Sequence, residues 1–294
     1  MPMKFGLKKI FSRPDREEHP GRNVILTGIP RSGTTMACRL LCECTNTVAL
    51  NEPLSPDFFE DLPSALSGIH RAFQEFRQSL MKSGMAPART RDGQITDNAY
   101  SQQEGQRERV VQRTMTRFDQ PLQLDFLLIM KHCAEFTLIL PELRSSYEIF
   151  AIIRNPLAIW SSWASVDVPV SRGRVAKSGK LLPAFARQID SQPTLFDKQL
   201  FILDWYFSQY QDLPPDRVIR YEDLIQSNGT ILERITAGST PGWSLEGRNQ
   251  SKLYDQAFIE RAGEALLRRP GAWSSYYPEE EILSLLQQIR DDAQ

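Results

Sequence analysis

Cysteine, histidine and net charge are all scarce in this chain of 294 residues: it has 4 Cys, 3 His and 35 basic against 36 acidic side chains. Cys38, Cys42, Cys44 and Cys133 are too few and too crowded for a disulfide framework, and suit reduced thiols in a cytosolic protein. Cys38 and Cys42 lie one helical turn apart and no matching Cys/His pair follows, so core packing is their reading and no metal is expected. A formal net charge of −1 gives no global field for nucleic acid or a membrane surface; any basic site is local. No apolar run reaches the ~18 residues of a transmembrane helix. The stretch Met3 to Phe11 is too short and too charged for a signal-peptide core. A soluble protein with a frayed tail over residues 1–21 is expected.

A lysine is missing as well. Gly28-Ile29-Pro30-Arg31-Ser32-Gly33-Thr34-Thr35 follows the apolar run Val24-Ile25-Leu26 and opens an apolar periodic segment, the pattern of a strand, a phosphate-cradling turn and a helix. The two glycines have Walker A spacing, but Thr34 stands at the lysine position. In nucleotide hydrolases and kinases that lysine reaches the β- and γ-phosphates, so its replacement argues for a ligand whose critical charge lies elsewhere. Arg31 is the basic side chain of the loop.

With 41% hydrophobic and 24% charged residues the chain has the material for one large domain with insertions. A strand is expected at Thr47 to Leu50, ending in Asn51-Glu52-Pro53, and a helix near Leu62 to Met81. Residues 86–123 are polar, rich in Arg, Gln and Asp and poor in periodicity, and read as a surface insertion. Leu124 to Met130 and Glu148 to Ile153 read as buried parallel strands ending in Lys131-His132 and Arg154-Asn155-Pro156. Phe136, Leu140 and Leu143 between them recur at helical spacing. Residues 171–183 contain a basic Gly/Ser loop, a candidate lid. Helices are expected over Leu195 to Tyr210, Gln256 to Leu267 and Glu279 to Arg290, with a strand from Arg217 to Tyr221. Alternating strands and helices predict an α/β fold of three layers around a central, mostly parallel sheet, with ligands beyond the C-terminal ends of the strands.

Four strand ends then carry chemistry. The loop offers backbone N–H groups and a helix N-terminus for an oxyanion. Arg154 either holds a second phosphate with Ser162 of the following helix, or caps its strand end beside a carboxylate. Glu52 is either a base near the loop or a turn carboxylate. His132 is either a base or a satisfied buried histidine.

On these residues the chain resembles the sulfotransferases that use 3′-phosphoadenosine 5′-phosphosulfate. The likeness runs over Val24 to Glu52, Leu128 to Ser162 and Val218 to Leu224. It implies that Arg31, Ser32, Gly33, Thr34 and Thr35 bind the 5′-phosphosulfate, and that Arg154 and Ser162, eight residues apart, bind the 3′-phosphate. Tyr221 of Tyr221-Glu222-Asp223-Leu224 would lie near the adenine, and Arg269 is either a rough counterpart of a C-terminal 3′-phosphate arginine or, with Arg268, an arginine of a surface helix terminus. Hormone and phenol enzymes of the family have lysine where Arg31 stands; glycan-modifying and many bacterial members have arginine. Asn46 to Pro53 and Ala151 to Ala158 are similar to short bacterial sulfotransferases of secondary metabolism. The resemblance implies sulfuryl transfer to a hydroxyl or amine of a small polar acceptor, with a glycan or glycolipid as the second reading. A nucleotide phosphotransferase or a non-catalytic nucleotide-binding module are more distant ones. Glu52 would act as base with His132 as runner-up, Arg31 and Lys131 would stabilise the leaving oxygen, and no metal is needed.

Overall fold

The computed structural model describes residues 21–101, 107–249 and 255–292; apart from Gly21, the expected N-terminal tail lies outside them. Strand β1 (Asn23–Gly28) leads through the glycine loop into helix α1 (Thr34–Leu41), then β2 (Thr47–Asn51) and the long helix α2 (Leu62–Ser83). Next come β3 (Met85–Thr90), β4 (Gln112–Arg117) and β5 (Leu127–Lys131), then the short helices α3 (Ala134–Leu138) and α4 (Leu140–Leu143). Strand β6 (Glu148–Ile153) enters α5 (Pro156–Ala164), followed by α6 (Ser178–Leu181), α7 (Pro183–Asp190) and α8 (Leu195–Tyr210). The chain closes with β7 (Val218–Arg220), α9 (Tyr221–Gln226), α10 (Glu233–Thr236), α11 (Gln256–Arg268) and α12 (Glu279–Asp292).

The central sheet has the order β2-β5-β1-β6-β7, and every pair in it is parallel. Its strands are apolar in their centres, because both faces are covered, and carry polar residues at their ends. Val24 and Leu26 of β1 pack with Ala37, Cys38 and Leu41 of α1 and with Leu224 of α9; Ile25 faces the opposite layer, with Phe73 of α2, Ile159 and Trp160 of α5 and Tyr206 of α8. The fold is therefore an α/β sandwich of three layers, helix on sheet on helix. Cys38 and Cys44 are buried in it, and all four cysteines are free thiols.

Several elements differ from expectation for identifiable reasons. The stretch 86–123 contains an antiparallel pair, β3 with β4, in which Ala86, Ala88 and Thr90 are buried; small side chains and Pro87 mask the alternation. The strand expected from Leu124 starts only at Leu127, and Leu124 is 69% exposed. The helix after β5 is split at Ile139, because Pro141 has no N–H to continue the ladder to Thr137. Tyr221 begins a helix instead of ending a strand. The second strand in sequence is not the neighbour of the first: β5 lies between β1 and β2. Residues 171–183 are folded rather than open: Val175, Ser178 and Leu181 are buried, and Lys177 and Lys180 both pair with Glu60.

Candidate active site

The loop that follows β1 is pinned from three sides. At Gly28 (φ +152°) a Cβ would lie 2.3 Å from the Ile152 carbonyl of β6, and at Gly33 (φ +93°) it would lie 2.7 Å from the Tyr221 ring. Both positions therefore require glycine, for backbone conformation and for close approach. The Ser32 hydroxyl donates to the Ile152 carbonyl at 2.7 Å and the Trp163 indole to the Pro30 carbonyl at 2.8 Å. Arg31 has φ +76°, a left-handed backbone that costs free energy in a non-glycine residue and commonly marks a functional turn. Helix α1 starts directly on Gly33, with no side-chain cap and no acidic residue in its first turn, so its leading N–H groups and its positive dipole end face the loop.

Arg31 joins the two anion-binding pieces expected from the sequence. Its Nε donates to Ser162 Oγ at 3.1 Å, Nη1 donates to Asn98 Oδ1 at 3.1 Å, and the guanidinium lies 4.9 Å over the Tyr100 ring. Arg154 Nη1 donates in turn to the Arg31 carbonyl at 3.2 Å. The Arg154 guanidinium stacks 4.6 Å over Tyr221, with Nε donating to Asn249 Oδ1 at 2.8 Å and Nη2 to the Arg248 carbonyl. The Tyr221 hydroxyl accepts from the Arg248 N–H at 2.9 Å. Loop, Arg31, Ser162, Arg154 and Tyr221 thus form one connected group. A cleft of about 390 Å³ opens beside it, lined by Tyr221, Glu222, Ile225, Gly247, Asn249 and Gln288. Thr34, at the Walker lysine position, is buried with its hydroxyl 3.3 Å from Cys133 Sγ; Thr35 is half-buried at the head of α1.

The second group lies at the ends of β2 and β5. Glu52, also left-handed at φ +46°, has one carboxylate oxygen 3.2 Å from Lys131 Nζ and the other 2.9 Å from both Arg89 Nε and Arg109 Nη2. Arg113 Nε donates to the Glu52 carbonyl at 3.3 Å. Burial alone would raise the carboxyl pKa, but Lys131, His132, Arg109 and Arg89 outweigh it and hold Glu52 well below the usual carboxylate range. Burial likewise opposes the charge on Lys131, yet the Glu52 carboxylate beside it keeps the ammonium charged and its pKa above the ordinary value. Burial raises the Cys133 thiol, so it stays protonated near neutrality. His132 Nε2 accepts from the Leu54 N–H at 3.2 Å, Nδ1 lies 3.6 Å from Glu135, and the ring packs edge-on against Phe59 and Phe136. Proton uptake at Nε2 would cost the Leu54 bond.

Arg269 stands apart. It caps α11, is 70% exposed and pairs with Asp197 of α8 at 3.6 Å, whereas the partners of Arg154 come from residues 248 and 249. The sequence reading passed over Asn98, Tyr100, Arg89, Arg109, Arg113 and Glu222. Glu222 accepts from the Asn155 N–H at 3.0 Å, from Asn249 Nδ2 at 2.9 Å and from the Tyr277 hydroxyl at 2.8 Å, and so fixes the turn that presents Arg154. Its place beside Tyr221 was the available signal. Among the described residues no cluster of His, Cys, Asp and Glu is arranged to hold a metal, and no helix is long and apolar enough to cross a membrane.

No protein-family model and no curated protein matches the chain. Among solved structures, the sulfotransferase domain from the Synechococcus PCC 7002 olefin synthase superposes with a TM-score of 0.35 and 15% identity, over 95% of this chain and 98% of that one. Sulfotransferase STF9 from Mycobacterium avium gives 0.35 and 13%, over 93% and 77%. The sulfotransferase domain from the curacin biosynthetic pathway gives 0.34 and 16%, over 92% and 98%. All three are sulfotransferases by name.

Proposed function

We propose that the protein transfers a sulfuryl group from 3′-phosphoadenosine 5′-phosphosulfate to a hydroxyl or amine of a small polar acceptor. The observation that carries this reading is the joining of two anion sites through Arg31: its side chain binds Ser162 and its carbonyl binds Arg154. A nucleotide with phosphate groups at both the 5′ and 3′ positions fits that pair; a triphosphate lacks its lysine because Thr34 is buried against Cys133. The side-chain-free edge of Gly33 leaves the Tyr221 ring packed on the loop, and the cleft beside it is of ligand size.

Bound in this cradle, the donor supplies a sulfuryl group whose transfer leaves negative charge on the departing bridging oxygen. The N–H groups at the head of α1 and the Arg31 guanidinium are the donors for that oxygen, with the Lys131 ammonium adding positive potential from the end of β5. Glu52 is the acceptor's base in this reading. It is ionised at neutral pH, and Lys131 fixes its orientation, but the surrounding cations make it a weak base. His132 ranks behind it because its Nε2 lone pair is already engaged.

Calorimetric titration tests the reading first: adenosine 3′,5′-bisphosphate binds and ATP binds at least about tenfold more weakly. Transfer from the labelled donor to a panel of polar alcohols and amines, read by mass, tests the reaction. Equal affinity for ATP, or bisphosphate binding with no transfer to any member of a broad panel, would favour a phosphotransferase or a binding module instead.

A further inference from the structure

The pair β3 and β4 places Arg89 directly opposite Arg113, two like charges at one cross-strand position, an arrangement that destabilises a hairpin. Both side chains turn to the same residue, Glu52, and Arg109 reaches it from a strap made of residues 96–101 and 107–111, where it bridges to Tyr100. With Lys131 that makes three cations on the Glu52 carboxylate and a fourth, Arg113, on its backbone carbonyl. Glu135, the other carboxylate of this neighbourhood, lies against His132. The positive charge is only partly neutralised from within: burial, Arg109 and Arg113 oppose the charge on Arg89 and outweigh the support of Glu52 and Glu135. Asn51 Nδ2 donates to the Arg89 carbonyl at 3.0 Å, which holds the hairpin at this end of the sheet. The strap also carries Asn98 and Tyr100, both on Arg31, so the cluster and the loop share one wall.

Resting on the sulfotransferase reading, we propose that Arg89, Arg109 and Arg113 are a dock for an anionic group, a carboxylate or a phosphate monoester, carried by the acceptor itself. Guanidinium forks match either anion in bidentate geometry, and Arg109, 43% exposed, is the one open to an arriving ligand. Docking also changes Glu52. An anion that draws Arg109 toward itself removes positive charge from the carboxylate and adds negative charge nearby, both of which strengthen Glu52 as a base. The base is then weak without an acceptor and competent with the right one.

The test uses the full chain saturated with adenosine 3′,5′-bisphosphate and titrated calorimetrically with glycerol 3-phosphate, 3-hydroxybutyrate, and the neutral controls glycerol and ethyl 3-hydroxybutyrate. The proposal requires that at least one anion binds, that the neutral controls do not, and that Arg109→Gln and Arg113→Gln each weaken anion binding about tenfold while bisphosphate affinity is kept. The tighter of the two anions identifies the source. Equal binding of charged and neutral probes, no anion binding, or anion binding untouched by both variants overturns the dock. Failure of bisphosphate itself to bind overturns the sulfotransferase reading, separately from the dock, whose anion arm can be read in the same titration cell without nucleotide.

Discussion

Arg77 and Lys131 are buried at opposite ends of the central sheet and are satisfied in opposite ways. Arg77, 1% exposed, sits under the N-terminal ends of β1 and β5, donating to the carbonyls of Phe126 and Arg22 and to Asn23 Oδ1 at 2.7 to 3.0 Å, with the Phe126 ring 4.2 Å from its guanidinium. Its partners are neutral, and burial lowers its pKa to about 10. Lys131, 2% exposed, ends β5 at the other side, faces the carboxylate of Glu52, and shares it with Arg89 and Arg109. Arg77 closes a structure; Lys131 belongs to a group with more positive charge than its own residues neutralise. The contrast separates cations that fasten the fold from cations of the proposed ligand site.

The largest expected effect is at the ligand end. Arg31→Ala removes the side chain that binds Ser162 and Asn98, in the proposed reaction also a donor to the departing oxygen, and single-turnover transfer should fall about 10²–10³-fold. Thermal melting should move little, because Arg31 is half-buried and its backbone is already strained. A variant that unfolds while keeping its rate per folded molecule would place Arg31 with Arg77.

Arg77→Ala is the converse. It strands two carbonyls and an amide oxygen in a buried place, at a cost of about 3 kcal/mol. Urea unfolding should show a lower midpoint with an unchanged slope, and the melting temperature should drop by roughly 6–12 °C. Bisphosphate affinity and turnover per folded molecule should stay at wild-type values. Loss of turnover without loss of stability would erase the distinction between the two ends.

Glu52→Gln probes the ligand end through pH. A carboxyl held below its ordinary value of 4.5 contributes stability that is present above that pH and is lost as pH falls toward its lowered value. Lys131, raised above 10.5, contributes below that pH and loses its share only as pH rises past it. The wild type should therefore be flat through neutrality and weaken on the acid side, and Glu52→Gln should lower the plateau and flatten the acid limb. Denaturant melts from pH 3 to 7 read this directly. If Glu52 is the base, transfer falls a further ~10²–10⁴-fold in the same variant; full turnover would assign that role elsewhere.

What the sequence made legible follows from range. The loop, the polar strand ends and helix α8 are written in contiguous residues, and each appears where its local pattern placed it. Spacing along the helix after Arg154, fixed by Pro156 and the Asn155 cap, paired Ser162 with Arg154; that Ser162 meets Arg31 depends on how this helix lies against the loop and was not legible. The arginines around Glu52 were not legible. Their convergence depends on the register of β3 against β4, and Ala86, Pro87 and Ala88 carry little strand signal of their own. Strand order was also hidden: β2 follows β1 in sequence, yet β5 enters between them and brings Lys131 to Glu52.

The smallest effect is expected at Arg269, and it sharpens the division most finely. Sequence likeness points this residue at the 3′-phosphate, but its place at the end of α11, paired with Asp197 on α8, makes it a surface ion pair. Such pairs contribute about 0–1 kcal/mol. Arg269→Ala should leave bisphosphate affinity within about twofold of wild type, whereas Arg154→Ala should lower it about tenfold or more, since Arg154 is 6% exposed and stacked on Tyr221. Equal losses in the two variants would mean that α11 swings Arg269 onto the nucleotide when it binds, and that its pairing with Asp197 belongs to the ligand-free chain alone.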